Sequence, residues 1–572
     1  MRDQRSASQI LFNLLPQQTA DLKGRVWKVD SWLDPLPIPV DVTSVRRRLV
    51  AAIDPWRRTA NDAGNWEDIR SGADVEVVAL NLERGVHVER FPDLWVCRSC
   101  RRVSNTRGRP CRCGERTWGQ FHFVGFHSCG WVGEPWVRRC QTHDDVRVNA
   151  PGSSSVKDLV FSCPVCHQEL ARGLGAGRPC PGCRQPGVSY NVHRAAAVYT
   201  PHSFTMVNPP RPEQLRALTA GGGSSRCLDW VVAGMVEDRP DSAPQSRAVF
   251  VETLVGQGLP LAAAEAAADA AAQTGDFTFA EDAASDMAGL PPDRLEAARE
   301  DALDLALAVH NGRRRGRQLS VEDPGTALSA FYASEYGPAM DRLRLDDVEL
   351  IDRFPVLRGV YGYTRGGGPA DQNRLVMFPG RRGKRRVYAD AAETEALHFR
   401  LDPVAVCQWL HSRGLLDTVP TDPGDARLAL LAAMDVPDRG DDPQTPTVGS
   451  AVLTMMHSLS HRIIRQLAVL AGIDRESLSE YLVARHLGFF VYAAPKGDFV
   501  LGGLQAVFET DLHTFLARVL MAETRCPLDP GCAHGSGACL ACLHLGEPSC
   551  SYFNRFLDRG ALFGSGGFLA GG

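Results

Sequence analysis

The residues of this chain best suited to chemistry are its cysteines. The 572-residue sequence holds 17, and fifteen of them fall in two windows, Cys97 to Cys183 and Cys526 to Cys550, with only Cys227 and Cys407 between. Clustered thiols of this kind point to metal binding before disulfides. The first group is Cys97-x2-Cys100 followed by Cys111-x-Cys113. Two short-spaced pairs joined by a turn can offer four thiolates to a tetrahedral zinc ion, although Cys113, in a C-x-C, is also open to a neighbouring site. The second group, Cys163-x2-Cys166 and Cys180-x2-Cys183, reads CPVC and CPGC. Its tandem knuckles predict one zinc ribbon. His127, Cys129, Cys140 and His143 lie between the two groups with irregular spacing that fits core or turn residues at least as well as a third site, and no ion is expected there.

The C-terminal group has five thiols for four positions. Cys532, Cys539, Cys542 and Cys550 are favoured, with Cys526 the spare. No open coordination position beside a general base is evident, so the expected cofactor is structural Zn²⁺.

His457 and His461 stand at i, i+4 in AVLTMMHSLSHRIIRQLAVLAG, whose apolar residues Val452, Met456, Leu459, Ile463, Leu467 and Leu470 predict a helix with one buried stripe. The two histidines fall off that stripe, on a polar face open to phosphate, a partner or their own domain. HSLSH lacks the glutamate of H-E-x-x-H, which argues against metalloprotease chemistry. Basic residues gather at Arg313, Arg314, Arg315 and Arg317, and again at Arg381, Arg382, Lys384, Arg385 and Arg386. Such clusters suit a phosphate backbone; solvated loops are the plain alternative. Phe354, Tyr361 and Tyr363, near Arg353, Arg358 and Arg365, suit base stacking or core packing equally. There is no G-x-x-x-x-G-K-[ST], no kinase set, no G-x-S-x-G and no dinucleotide fingerprint. ATP hydrolysis is therefore not expected of this chain.

The elements that must position these residues follow from composition. Hydrophobic residues make up 44% and charged residues 23%, with a formal charge of −4, as in ordinary globular proteins. No run approaches the ~18 apolar residues of a membrane span, and the N-terminus lacks a leader pattern, so a cytoplasmic protein with no membrane contact is expected. Residues 1–96 read as a scaffold segment with a strand at 75–86, and 97–210 as the zinc-ribbon region. The alanine-rich stretch 211–345 reads as helical, 346–448 as mixed and strand-rich, and 449–572 as the last unit. In that unit DRESLSEYLVARH reads as a short helix and LGFFVYAA with DFVLGGLQAVF as a hairpin or sheet edge. The expected fold class is α+β and multidomain: N-terminal zinc-ribbon modules, a helical middle and a C-terminal mixed α/β zinc-binding domain.

The closing segments HSLSHRIIRQLAVLAGI, GFFVYAA, GGLQAVF and DPGC to GACLACLHLGEPSC, followed by Asn554, Leu557, Asp558 and Arg559, resemble the zinc-binding domain of unknown function that ends several superfamily 2 helicases. A chain with this domain and no helicase motor is similar to the DrmB family of DISARM anti-phage defence. LRGVYGYTR (357–365), NLERGV, and His127, Cys129 and Gly130 mirror further elements of that family. Ser8 and Gln9 match its N-terminal pair, while ILFNLLPQQ departs from the glycine-rich continuation. The resemblance implies a non-catalytic accessory subunit that binds a superfamily 2, DrmA-like helicase and helps it load on or hold DNA. The alternatives are a phosphodiester-cleaving enzyme using the His457 and His461 face, and an autonomous zinc-ribbon DNA-binding regulator.

Overall fold

The computed structural model describes residues 10–570 apart from 12, 58, 60, 62–63, 106–108, 151–154, 175–177, 221, 237–246, 274–286, 288–289, 311, 323, 368–371, 438–444, 495–501, 522–523, 536, 547–548, 551 and 553. Ser8 and Gln9 lie outside the described residues. The fold is mixed α+β, and the chain divides into two compact units, Met1–Pro209 with Leu357–Ala391, and Pro210–Val356 with Ala392–Gly572. The chain therefore crosses from one unit to the other inside two long strands, Leu345–Thr364 and Arg385–Leu401. Residues 346–448, which read as one segment from sequence, contribute to both units.

In the first unit, Asp41 caps the helix Val42–Ile53 by accepting the Ser44 N–H at 2.7 Å. Val45, Leu49 and Ile53, four residues apart, form one apolar face, which packs on Leu357, Tyr361 and Val387. The strand Val75–Ala79 runs parallel to the start of Arg385–Leu401, with Val75 opposite Arg385 and Val78 opposite Tyr388. Residues 94–192 add three small three-stranded sheets, centred on Trp95–Cys97, Phe123–Phe126 and Val160–Ser162.

Tyr361 and Tyr363 are core residues here. The Tyr361 hydroxyl donates to the Ala52 carbonyl at 3.1 Å, and Tyr363 stacks on Tyr199 at 4.6 Å. Arg365 is fully buried and its guanidinium donates to the carbonyls of Gly130 at 2.9 Å, Gln17 at 2.8 Å and Val198. It ties three chain segments together, through the buried Val198 carbonyl and the half-buried carbonyls of Gly130 and Gln17.

In the second unit, the alanine-rich stretch forms helices including Gly223–Val232, Leu261–Gln273, Pro292–Val309 and Ala327–Arg342. Its core surrounds the 24-residue helix Val448–Ala471. Thr447 and Ser450 form a reciprocal cap at the helix start, and Gly472, at φ 65°, ends it in the left-handed conformation that glycine tolerates. This helix is buried on every side through Ile464 rather than along one stripe.

Two sequence readings are corrected nearby. Leu478–Val483, read within a short helix, is a strand antiparallel to Gly488–Ala493; six consecutive cross-strand partners outweigh local helix propensity. Gly503–Ala506, read as part of a strand, begins a helical run that continues through Leu512–Met521. Its start is held by the Glu395 carboxylate, which accepts the N–H groups of Gly502, Leu504 and Gln505 at 3.1 to 3.2 Å. That long-range cap has no local sequence signal.

Replacing Arg365 by alanine would take the donor from the buried Val198 carbonyl and the half-buried Gln17 carbonyl, while the Gly130 carbonyl keeps the Tyr363 hydroxyl at 3.3 Å; a buried acceptor that finds no substitute costs about 1–3 kcal/mol. Chemical denaturation of the Arg365→Ala protein is expected to show a loss of about 1–3 kcal/mol.

Candidate metal centres

Each of the three small sheets within residues 94–192 carries two tight turns, and each turn carries two candidate ligand residues. The residue immediately after the second ligand has positive φ in all six turns: Arg101 (63°), Gly114 (90°), Gly130 (99°), Asp144 (44°), His167 (61°) and Arg184 (62°). This left-handed step turns the chain back into the next strand, leaving both ligands on the inside of the turn.

The first group is Cys97, Cys100, Cys111 and Cys113, as the spacing predicts. Cys97 Sγ lies 3.7 Å from Cys113 Sγ, and Cys100 Sγ 3.4 Å from Cys111 Sγ. Thiolates bound at about 2.3 Å on the corners of a tetrahedron stand about 3.8 Å apart, whereas a disulfide needs about 2.05 Å. Burial pushes the Cys100 thiol up, but the Arg102 backbone N–H and guanidinium outweigh it and bring the thiol down to about 6. Arg102 also pairs with buried Asp145 at 2.9 Å, next to the ligand-bearing turn of the third sheet.

The remaining ligands do not pair as the sequence order suggested. His127 and Cys129 join Cys180 and Cys183, while Cys140 and His143 join Cys163 and Cys166. One module is thus inserted within the other, and the two C-x2-C knuckles read as a single ribbon belong to different groups. Cys129 Sγ lies 3.7 Å from Cys180 Sγ, and His127 Nδ1 3.4 Å from Cys183 Sγ. The other ring nitrogen, Nε2, faces the Pro186 carbonyl at 3.2 Å. Donation there leaves the Nδ1 lone pair directed at the thiols. His143 Nδ1 lies 3.5 Å from both Cys140 Sγ and Cys163 Sγ. The His143 backbone N–H and imidazole bring the Cys140 thiol down to about 6. Spacing missed these four residues because each knuckle finds its partner across an insertion; the H-x-C-G turn around Cys129 was the available signal.

A fourth group, in the second unit, is Cys526, Cys532, Cys539 and Cys542. Cys526 Sγ lies 3.5 Å from Cys539 Sγ, and Cys532 Sγ 3.7 Å from Cys542 Sγ. Cys526 is therefore a member, and Cys550 is not. Cys550 instead lies with His457, where its Sγ is 3.3 Å from the imidazole Nε2. All four groups could hold a metal ion.

The proposed nucleic-acid contacts fare differently. His457 and His461 are fully buried, so the phosphate reading is corrected; of the contacts left open for this polar face the structure gives the one with its own domain, through the Phe556 and Leu543 carbonyls and Glu480. Arg313, 2% exposed, pairs with fully buried Glu349, which also meets Arg400 at 3.1 Å and His398 at 2.9 Å. Burial raises the Glu349 carboxyl, but Arg400 and Arg313 hold it well below the usual range. Arg315 pairs with Asp347, Arg314 with Glu322 and Glu509, and Arg317 with Asp341. Arg313 and Arg315 thus neutralise buried carboxylates, and Arg314 and Arg317 pair with carboxylates nearer the surface, so the cluster is not a free basic surface. In the second cluster Arg386, Arg385 and Lys384 pair with Glu76, Asp68 and Asp74. Arg381 and Arg382 are exposed at the turn, with no ion pair recorded among the described residues.

A model described as a domain of unknown function, DUF8724, matches residues 6–200, a span that contains the first three groups. DISARM protein DrmB of Bacillus paralicheniformis (strain ATCC 9945a / NCIMB 11709 / CD-2) is 30% identical over 124 residues, covering 19% of this chain and 22% of that protein. The match thus spans about a fifth of the curated relative. No helix among the described residues is long and apolar enough to cross a membrane.

The nested pairing makes Cys129 and Cys140 candidate ligands. Metal analysis of Cys129→Ser and Cys140→Ser is expected to show one tightly held ion fewer in each. Unchanged metal content would restore the single ribbon formed by Cys163, Cys166, Cys180 and Cys183.

Proposed function

We infer that this chain is a non-catalytic, zinc-stapled accessory subunit that works with a superfamily 2, DrmA-like helicase in DISARM-type anti-phage defence. The observation that carries this reading is the likeness to DISARM protein DrmB. The ligand sets agree with it: two groups offer four cysteines and two offer three cysteines with one histidine, the donor chemistry of closed structural zinc sites. In this role zinc supplies folding free energy to small modules, which present surfaces to the helicase and to DNA. ATP hydrolysis belongs to the partner.

Contact with DNA is assigned to the turn bearing Arg381 and Arg382, whose guanidinium groups are exposed. The neighbouring Lys384, Arg385 and Arg386 are partly neutralised by Asp74, Asp68 and Glu76 and serve mainly to hold the turn. The first basic cluster has no part in this contact.

Co-expression with a superfamily 2, DrmA-like helicase is expected to yield a stable complex whose ATPase is stimulated by DNA, with no ATPase from this chain alone. ATP hydrolysis or DNA cleavage by the isolated chain, or failure to associate with any helicase, would overturn the reading. Because each phosphate contact contributes about 0.9 to the logarithmic salt dependence of binding, the Arg381→Ala/Arg382→Ala double variant should lower that slope by about 2 in the complex.

A further inference from the structure

We propose that His457, His461, Glu480 and Cys550 form a fifth metal centre, a closed site for a divalent transition cation such as zinc that fastens the C-terminal segment to the central helix of the second unit. The site differs from the other four in chemistry, with two imidazoles, one carboxylate and one thiol, and in depth. His457 and His461 are 0% exposed, Glu480 2% and Cys550 7%.

The four side chains come from three separate elements. The histidines stand one turn apart on Val448–Ala471, Glu480 projects from the strand Leu478–Val483, and Cys550 belongs to the C-terminal segment. Their ligand atoms all lie within 4.8 Å of one another. Glu480 Oε1 is 3.0 Å from His457 Nε2 and 3.5 Å from His461 Nε2, and Cys550 Sγ is 3.3 Å from His457 Nε2. Nitrogen and oxygen ligands at about 2.0–2.1 Å around a tetrahedral ion are about 3.3 Å apart.

Hydrogen bonding decides which atoms face the centre. His457 Nδ1 meets the Phe556 carbonyl at 3.2 Å and His461 Nδ1 meets the Leu543 carbonyl at 2.8 Å. A carbonyl accepts, so both Nδ1 atoms carry protons, and in each neutral ring the Nε2 lone pair points inward. The sulfur of Cys550 accepts N–H groups from Tyr552 at 3.4 Å and Asn554 at 3.1 Å, which hold it in place against the two imidazoles. Ser460 donates its hydroxyl to the other oxygen of Glu480. Every atom directed into the centre is thus an electron-pair donor to a cation, and the enclosed His461 Nε2 has no hydrogen-bond partner. An unsatisfied polar atom at that depth is costly. A divalent cation satisfies all four and cancels the charges of one carboxylate and one thiolate, leaving a neutral buried unit. Histidine and thiolate together select zinc-like ions over calcium or magnesium.

The test is metal analysis of the full-length chain and of Glu480→Gln and His461→Gln, which keep size and polarity. The proposal expects five zinc ions per chain in the parent protein and four in each variant, with Cys526→Ala losing its own ion and keeping the fifth. A parent protein and variants with equal metal content would overturn it, since a cluster held by protons alone loses no ion. Should either variant fail to fold, zinc-edge anomalous diffraction from the parent chain decides: a peak between the four side chains supports the site. Peaks at the other four groups with none here overturn it.

Discussion

Strands of two to four residues cannot hold a sheet together, and this constraint governs the whole region from residue 94 to 192. Its three sheets contain strands as short as Val103–Ser104 and Val132–Gly133. Sheets of that size have too little apolar face to be stable alone. Their shared cores are correspondingly small, one built around Val96, Val146 and Phe161 and the other around Val124, Phe126 and Val198. What joins the turns is a convergence of thiols and imidazoles, with ligand atoms 3.4 to 3.9 Å apart. Arg102 couples this chemistry to packing. It donates to the Cys100 sulfur and to Asp145, joining the first ligand group to the turn that bears Cys140 and His143.

The second unit meets the opposite problem. Its large core takes in charged groups that must be neutralised where they lie. Glu349, Arg313, Arg400 and His398 form such a set, with Asp347 and Arg315 beside it. A buried charge is tolerated only with partners in good geometry, so Arg313 and Arg315 are committed to the buried carboxylates of Glu349 and Asp347. A run of like charges in sequence measures neither exposure nor availability, because opposing charges such as Glu349 and Asp347 arrive from a strand 36 and 32 residues away.

Sequence disclosed the local features and hid the long-range ones. C-x2-C knuckles at 97, 163 and 180 were legible because a knuckle is a turn of four residues whose spacing is local, and those at 163 and 180 carry Pro164, Pro181 and Gly182 as well. The partner of each knuckle was not, because pairing depends on which module is inserted into which. His457 and His461 show the same limit in another form. A helical wheel assigns faces on the assumption of one buried side, and Val448–Ala471 is enclosed on all sides through most of its length. Its polar residues were visible; the strand bearing Glu480 and the segment bearing Cys550, which give those residues their surroundings, were separated from them by 19 and 89 positions from His461. The α+β class and the helical middle were recoverable because they rest on local periodicity and propensity.

Nesting also imposes an order on assembly. The half-sites at Cys129 and Cys180 are separated by roughly 50 residues, and the cost of closing a flexible loop grows as about (3/2)RT times the logarithm of its length. If Cys140, His143, Cys163 and Cys166 come together first, the chain between them is removed from that loop, leaving roughly 23 free residues to close. The saving is only about 0.7 kcal/mol, so entropy alone gives a mild preference for the inner module. Geometry strengthens it. The strand Phe123–Phe126 takes its antiparallel partner from Ser189–Val192, beyond the insertion, and that pairing brings Cys180 and Cys183 back toward His127 and Cys129. An inner module that is already compact lets the chain make this return without trapping an extended segment. The outer group is thus the one whose formation reports that the whole region has folded.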